Sequence, residues 1–223
     1  YAMGGIPTNT DAQVLSDSAG PADLDRAWSQ LLSLWGAQFT PGPEPACTQA
    51  LRQGLECLEN DGDLDSLRRF NRPALVALRD DAGSVHQAVL SQLLAGDRAR
   101  VLIGEASYDI PLSDLEPRWD GHFVLLWKPA QLDTRNLSAG MWGESVRNLR
   151  MRLDAWAVEQ GDLFMPAEDP DYFDDRLQQQ VMRFQASQGL AVDGIAGART
   201  QAVLDAAVPG PGTPLLSAVT TEP

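Results

Sequence analysis

The sequence predicts an α+β domain followed by an all-helical domain, because the spacing of apolar residues changes twice along the 223 residues. Between Trp28 and Phe70 apolar residues recur at helical spacing. Short β-prone runs bounded by Asp and Gly turns follow, as far as Trp127. Helical spacing then returns and continues to Ala207. Helices followed by a set of antiparallel strands are typical of an α+β domain.

The α+β domain is predicted at residues 21–130 and begins with helices. Asp23 or Asp25 is placed to cap the first helix, which we expect to end at the proline-rich run 41–45. Two further helices are expected, from Cys47 to Leu58 and from Leu64 to Phe70. The apolar face of the first helix consists of Trp28, Leu31, Leu32 and Trp35.

The sheet is predicted from short β-prone runs, of which His122 to Trp127 gives the strongest signal. The segment from Pro111 to Trp119 is expected to be a connecting loop or a short helix, and the domain is expected to end near Pro129. The remaining strands are predicted at Pro73 to Leu78, Val85 to Leu90 and Arg100 to Ile103.

The second domain is predicted at residues 137–208, after a polar connection, as a bundle of helices that ends with Thr200 to Ala207. Residues 1–20 are expected to be a disordered lead-in that begins with an expression scar. Residues 209–223, which start Pro-Gly-Pro-Gly, are expected to be a disordered tail. The earlier helices of the bundle carry apolar residues at Val146, Leu149, Leu153 and Trp156, and at Leu177, Val181 and Phe184.

The charge of the chain excludes two classes of partner. With a net charge of −14 it lacks the excess of Lys and Arg that binding to nucleic acid or to an anionic membrane surface needs. No apolar run is long enough to span a bilayer. A neutral or zwitterionic ligand, or a protein partner, fits this composition better.

The only cysteines are Cys47 and Cys57. They fit either one disulfide in an oxidising compartment or two buried thiols in a reducing one. On one continuous helix they would lie roughly 15 Å apart along the axis, which is too far for a bridge. A bridge therefore requires the chain to turn between them, and Gly54 is the only helix breaker there.

The C-terminal domain contains a motif that resembles the small peptidoglycan-binding domain of bacterial cell-wall proteins. That family carries Gly-x-x-Gly-x-x-Val-x-x-Leu, then Val-x-x-Phe-Gln, then Gly-Leu-x-x-Asp-Gly-x-x-Gly-x-x-Thr. The segment Leu163 to Phe173, which is long and acidic, and Arg150, where the family often has Gln, depart from the pattern. The matching residues are Gly140, Gly143, Val146, Leu149, Val181, Phe184, Gln185, Gly189, Leu190, Asp193, Gly194, Gly197 and Thr200.

The resemblance implies a shallow groove of turn amides and Gln or Arg donors, suited to the amides and carboxylates of wall peptides. On residue chemistry alone, Gly and Asp in such turns are more often architectural, and a charged residue on a helix is more often only solvated. The candidate binding residues are Arg183, Gln185, Asp193, Gly194, Gly197, Arg199 and Thr200.

The α+β domain resembles the papain-like, bacteriocin-processing cysteine peptidases. Cys47 opens a predicted helix and His86 opens a predicted strand, the positions of the nucleophile and the base in that family. Gly104-Glu105 stands where the family has its orienting Asp, and no glutamine is convincingly placed to supply an oxyanion donor. The resemblance therefore implies a degenerate, catalytically inactive domain; an active site of Cys47, His86 and Glu105 is the alternative.

The combination of these two domains over roughly residues 28–207 resembles the periplasmic region of the general secretion pathway protein A family. The resemblance implies a non-catalytic module that binds peptidoglycan and supports assembly of the type II secretion secretin with a companion B-type subunit. It also implies the periplasm, a Cys47–Cys57 disulfide, and a full-length protein with an ATPase domain and an inner-membrane anchor, neither of which is in this sequence. Oligomerisation stays open.

The residues leave a second function open, a wall-tethered cysteine peptidase that uses Cys47 and His86. No cofactor is expected. A zinc amidase or hydrolase is disfavoured because the chain has two histidines and no His-x-x-x-His spacing.

Overall fold

The computed structural model describes residues 21–130 and 136–217, and its first part is built on a six-stranded sheet of order β1-β6-β2-β3-β4-β5. Every neighbouring pair in the sheet is antiparallel. The predicted α+β class and the all-helical C-terminal part are confirmed. In chain order the elements are α1 (Pro21–Leu34), α2 (Ala46–Arg52), β1 (Glu56–Asp61), α3 (Leu64–Phe70), β2 (Ala74–Arg79), β3 (Val85–Leu94), β4 (Arg98–Ile103), β5 (Ala106–Pro111), α4 (Leu112–Leu115), a 3₁₀ turn (Glu116–Arg118), β6 (Trp119–Trp127), α5 (Glu144–Glu159), α6 (Asp175–Ser187) and α7 (Ala198–Ala207).

Both faces of the sheet are covered. One face, which we call the α1/α2 face, packs Leu75 and Val89 against Leu31 and the rest of its apolar cluster. The other, the α3 face, packs residues such as Val76 against α3 and the C-terminal helices. Leu75 and Val76 belong to opposite clusters because successive side chains of a strand point to opposite faces. Burial on both sides explains why β2 is apolar almost throughout instead of alternating.

The predicted helix from Cys47 to Leu58 is wrong in its second half. The helix ends at Arg52, and Gly54, with a φ of +83°, turns the chain into β1. β1 pairs along its whole length with β6. Its sequence, Glu-Cys-Leu-Glu-Asn-Asp, carries little strand signal, so the pairing with an apolar neighbour decides its conformation. The same reason explains β5, for which the sequence predicted no element.

The expected disordered tail makes ordered contacts with the sheet domain at Leu216 and Ser217. Leu216 is completely buried; its carbonyl accepts a hydrogen bond from the Leu93 amide at 2.6 Å, and its amide donates to the Asn71 carbonyl at 3.1 Å. The Ser217 amide donates to Asn71 Oδ1 at 2.7 Å. The prolines of this segment exclude a helix. The chain is therefore extended, and its backbone N–H and C=O groups can form hydrogen bonds with the sheet domain. Residues 218–223, the lead-in 1–20 and residues 131–135 lie outside the described residues.

The two predicted domains are joined by buried residues. A single apolar cluster runs from α3 and the sheet to α5, α6 and α7. Beside it, the buried Arg72 donates to the Asp205 carboxylate at 2.6 Å and to the Asp205 carbonyl at 2.9 Å. Arg152 on α5 binds the other carboxylate oxygen. Burial lowers the pKa of Arg72, while the charge of Asp205 opposes that shift. One carboxylate thus joins the sheet domain to two helices of the C-terminal part.

Candidate functional site

The two cysteines form a disulfide. Cys47 lies in the first turn of α2 and Cys57 in the edge strand β1, and their Sγ atoms are joined at 2.05 Å. The turn at Gly54, which the sequence requires for a bridge, brings the two residues to a Cα–Cα distance of 5.6 Å. In this structure, position 47 therefore carries no thiol that could act as a nucleophile.

His86 lies near the start of β3 and contacts the turn of the β2–β3 hairpin. Its Nε2 atom lies 3.0 Å from Asp80 Oδ2, and both side chains are almost completely buried. Asp80 Oδ1 accepts a hydrogen bond from the Ser84 amide at 2.8 Å, so the carboxylate also fixes the turn between β2 and β3. The hydrogen bond from His86 is the main reason why the pKa of Asp80 is lowered. His86 Nδ1 is buried and has no hydrogen-bond partner among the described residues.

The cysteines and His86 lie on opposite faces of the sheet. Cys57 packs into the apolar cluster of the α1/α2 face. His86 alternates with Ala88 and Leu90, which belong to the cluster of the α3 face. Strands β6 and β2 also stand between β1 and β3. The hypothesised dyad of Cys47 and His86 is therefore not assembled here, and Glu105 is exposed at the turn between β4 and β5.

In the C-terminal part, the motif residues meet in one turn around Gln185. The Gln185 side chain is 1% exposed. Its Nε2 donates to Asp193 Oδ1 at 2.8 Å, to the Ile195 carbonyl at 3.0 Å and to Thr200 Oγ1 at 3.2 Å. Its Oε1 accepts from the amides of Asp193 and Gly194 at 3.1 and 3.0 Å. One buried amide thus satisfies most of the polar groups of the turn that connects α6 to α7, and we call this arrangement the Gln185 turn.

The other turn residues have architectural contacts of the same kind. Asp193 Oδ1 also accepts from the Ile195 amide at 2.9 Å, and this bond lowers the pKa of Asp193. Gly194 has a φ of +71°, and a Cβ there would lie 2.9 Å from Gln178 Cγ. A Cβ on Gly197 would lie 2.9 Å from Asn136 Oδ1. Gly194 needs glycine because of its backbone conformation and close packing, whereas Gly197, with a φ of −78°, is restricted only by its contact with the end of the Asn136 side chain.

The two predicted arginines differ in their surroundings. Arg183 is ion-paired with Asp162 and lies over the ring of Trp156, 5.7 Å from its centroid, so its charge is already engaged. Arg199 is exposed at the start of α7 and lines a cleft of about 110 Å³ between the C-terminal part and α3. Of the two predicted arginines, Arg199 is thus the one without a carboxylate at ion-pair distance among the described residues.

Arg69 on α3 lines the same cleft as Arg199. Within residues 21–130 and 136–217, neither guanidinium has a carboxylate at ion-pair distance. The other polar side chains of the cleft have partners: Ser66 Oγ donates to Asp63, Asn60 Nδ2 donates to the Asp61 carbonyl, and the Asp61 carboxylate lies 3.0 Å from His122 Nδ1. In a chain of net charge −14, two unpaired arginines in one cleft make it a candidate anion site. Sequence reasoning missed Arg69, because only tertiary packing brings α3 against α7.

Arg150 and the acidic segment Leu163 to Phe173, which depart from the family pattern, lie together at a second surface. Arg150 is buried, and its Nη2 donates to the Tyr172 carbonyl at 2.7 Å and lies 3.1 Å from Asp174 Oδ1. It therefore holds the acidic segment and does not line the groove. Next to it, the ring of Trp142 stacks on that of Tyr172, with centroids 4.6 Å apart. Trp142 remains 64% exposed.

Residues 143–204 match the family model described as "Putative peptidoglycan binding domain". This range runs from Gly143 at the start of α5 into α7 and includes the whole Gln185 turn. The match therefore covers the element in which the sequence motif and the observed hydrogen bonds coincide.

A longer similarity covers most of the chain. Over 176 residues, which are 79% of this chain and 31% of the relative, the sequence is 34% identical to general secretion pathway protein A of Aeromonas hydrophila. The chain is homologous to general secretion pathway protein A. It is also 25% identical over 78% of its length, and 34% of the relative's, to "Putative general secretion pathway protein A" of Escherichia coli strain K12. The chain thus spans about a third of the length of these curated relatives.

Solved structures agree with the sequence comparison. The periplasmic domain of the EpsAB fusion protein of the Vibrio vulnificus type II secretion system superposes with a TM-score of 0.55 and 26% identity, over 86% of this chain and 80% of that one. That likeness covers both the sheet and the helical part. None of the helices in the described ranges has the length and hydropathy needed to cross a membrane.

Proposed function

We propose that this chain is a peptidoglycan-binding module that works in the periplasm for type II secretion, and that its sheet domain is a non-catalytic scaffold. The observation that carries the proposal is the match of residues 143–204 to the peptidoglycan-binding family, in a region where the motif residues form the closed Gln185 turn. Homology to general secretion pathway protein A and the periplasmic EpsAB relative support the compartment and the pathway.

The non-catalytic part of the proposal rests on the cysteine. A cysteine peptidase needs a thiolate next to a base, with a third group that orients the base. Here Cys47 is bonded to Cys57, and His86 is buried on the opposite face with Asp80 as its partner. Reduction alone would free the thiol without moving it through the sheet to His86. We therefore assign the cysteines to stability.

For the ligand, we propose that the cleft between α3 and α7 binds a carboxylate of the wall peptides. Guanidinium groups bind carboxylates through charge-assisted, often bidentate hydrogen bonds. Arg69 and Arg199 supply two such groups, and neither has a carboxylate at ion-pair distance among the described residues, although Asp61 also lines the cleft. Because one arginine comes from each part of the chain, binding in the cleft would engage both.

The partners follow from the homology. We propose a companion B-type secretion subunit as the direct protein partner, since the solved relative is an EpsAB fusion protein. We further propose that wall binding supports assembly of the outer-membrane secretin, with an inner-membrane anchor in the full-length protein. This chain would then hold the secretion machinery at the wall rather than cleave the wall.

The test is co-sedimentation with purified peptidoglycan sacculi. Wild type is expected in the pellet, and the double variant Arg69→Ala, Arg199→Ala is expected to bind at least about tenfold more weakly, because charge-assisted hydrogen bonds contribute about 1.5–3 kcal/mol each. The double variant Arg79→Ala, Lys128→Ala is the matched control, since it removes the same charge from exposed positions of the sheet domain.

Two outcomes would count against the proposal. Absence of wild type from the pellet would overturn peptidoglycan binding altogether. Equal binding by both double variants would overturn the cleft and leave wall binding intact. For the assembly role, secretin multimers in outer-membrane fractions are counted in cells that carry each variant, and a loss restricted to Arg69→Ala, Arg199→Ala is the expected result.

A further inference from the structure

An exposed aromatic pair lies on the C-terminal part, outside the cleft and at positions whose residue type the family motif does not specify. Trp142 stacks on Tyr172 with a tilt of 36° between the rings, and 64% of Trp142 is exposed. Single exposed apolar side chains are common on protein surfaces, so Trp142 is informative only because a second ring and the backbone hold it in place. We call this pair the aromatic platform.

The backbone holds the platform rigidly from both sides. Trp142 and Tyr172 face each other in an antiparallel bridge. The Gly140 amide donates to the Phe173 carbonyl at 2.9 Å, the Phe173 amide to the Met141 carbonyl at 2.8 Å, and the Gly143 amide to the Asp171 carbonyl at 3.0 Å. These backbone hydrogen bonds fix the positions of Trp142 and Tyr172 before a ligand binds, which lowers the entropy cost of binding.

Two arginines of α5 lock the same segment. Arg150, which is buried, donates to the Tyr172 carbonyl. Arg147, which is half exposed, makes a bidentate pair with Asp171, the residue before Tyr172. The platform is therefore a fixed pair of aromatic rings, tilted by 36°, in a segment that also carries a half-exposed guanidinium and a partly exposed carboxylate.

The chemistry of this surface fits one class of ligand. A nucleobase also stacks on aromatic rings, but the net charge of −14 repels its phosphates. A protein partner needs roughly 800 Å² on each side, and one Trp–Tyr pair supplies only a fraction of that area, because a Trp buries about 150–250 Å². The C–H face of a pyranose ring matches the size of an aromatic ring, and its hydroxyl and amide substituents can form hydrogen bonds with the Arg147–Asp171 pair.

We propose that the aromatic platform of Trp142 and Tyr172 is a glycan subsite that takes a pyranose ring of the wall's sugar strand. The inference rests on the proposed function and deepens it: the cleft with Arg69 and Arg199 takes the peptide, and the platform takes the sugar. Arg147 and Asp171 contact the hydroxyl and acetamido groups of the stacked ring. The positions at which this chain departs from the family pattern thereby acquire a common role.

The test uses a soluble oligosaccharide of N-acetylglucosamine, which carries the sugar but no peptide, titrated into the whole chain and followed by calorimetry and by NMR shifts. Wild type is expected to bind, Trp142→Ala to lose at least about tenfold in affinity, and Trp142→Phe to recover most of it. Phe164→Ala is the matched control, because Phe164 is 63% exposed in the same part of the chain and is not in the platform. It is expected to bind like wild type.

The outcomes separate this inference from the proposed function. If the oligosaccharide does not bind wild type, or if Trp142→Ala binds it as well as wild type does, the glycan subsite is wrong, whatever the sacculi show. Equal losses for Trp142→Ala and Phe164→Ala would also overturn it. If wild type binds sacculi and not the oligosaccharide, wall binding stands and only the sugar assignment fails. Failure with sacculi together with binding of the oligosaccharide would overturn wall binding and support the platform.

Discussion

The sheet domain and the C-terminal helices treat their polar motif residues in different ways. In the sheet domain, Cys47 and His86, which a peptidase needs side by side, lie on opposite faces and each has another partner. In the C-terminal part, Gln185, Asp193 and Thr200 converge on one turn. One set is dispersed and the other is assembled, although both are recognisable in the sequence.

The comparison teaches that convergence alone does not identify a binding site. The Gln185 turn is assembled, but its hydrogen bonds are satisfied internally and it offers little to a ligand. The groups that remain available are Arg69, Arg199 and the aromatic platform, and none of them is a residue that the family motif specifies. The motif secures the fold, and the surface around it carries the chemistry that a ligand can use.

The sharpest way to test whether the two regions are one unit is to remove the carboxylate that joins them. Asp205→Ala leaves Arg72 buried without its counter-charge, so the free energy of unfolding should fall by about 3–5 kcal/mol in urea titrations. Asp109→Ala breaks the exposed pair with Arg100 and should cost less than about 1 kcal/mol. Similar losses for both variants would mean that Asp205 does not couple the regions.

The next largest effect is expected at the Gln185 turn. Gln185→Ala leaves the amides of Asp193 and Gly194 without their acceptor, and at about 1–3 kcal/mol for each orphaned group the loss should be roughly 2–6 kcal/mol. Gln179→Ala, an exposed glutamine of the same helix, should change the free energy of unfolding by less than about 0.5 kcal/mol. Lost sacculus binding with unchanged stability would instead make Gln185 a ligand contact.

The disulfide offers a comparison within the sheet domain. Cys47→Ser, Cys57→Ser and the double variant should each lose roughly 3 kcal/mol of stability, the amount expected for a loop of this length, and all should still bind sacculi. Thermal or urea unfolding without reductant measures the first effect, and co-sedimentation measures the second. If Cys47→Ser were distinctly worse than Cys57→Ser in either assay, Cys47 would have a role beyond the bridge.

The smallest effect is a pH dependence from the hairpin carboxylate. Because the pKa of Asp80 is lowered in the folded state, its stabilising contribution is complete above the unfolded value of about 3.9 and is lost as the pH falls through the folded value. The stability difference between wild type and Asp80→Asn should therefore be full at pH 7 and shrink below about pH 4. Urea midpoints measured across this range check the sign, and a difference that grew in acid would contradict it.

Much of the fold was predictable because many of its helices and strands have a clear local sequence pattern. The helix over Leu64–Phe70 and the strands β2, β3, β4 and β6 follow from apolar spacing and turn residues. β1 and β5 were missed because their sequences are polar or mixed, and pairing with an apolar neighbour makes them strands. The tail at Leu216 was missed for a related reason, since an extended, proline-rich segment gains its order only from the partner it pairs with.

The features of the candidate site can also be separated into those that the sequence predicts and those that only the structure shows. Taken alone, the sequence determined the α+β order, the family motif and the need for a turn at Gly54 before a bridge could form, because these depend on neighbours along the chain. Only the tertiary structure decided that Cys47 and His86 occupy opposite faces of the sheet and that Arg69 and Arg199 line the same cleft. It also decided that the hydrogen bonds of Gln185 are made within its own turn. A side chain's availability depends on which distant groups pack around it, and residue spacing carries no record of those contacts.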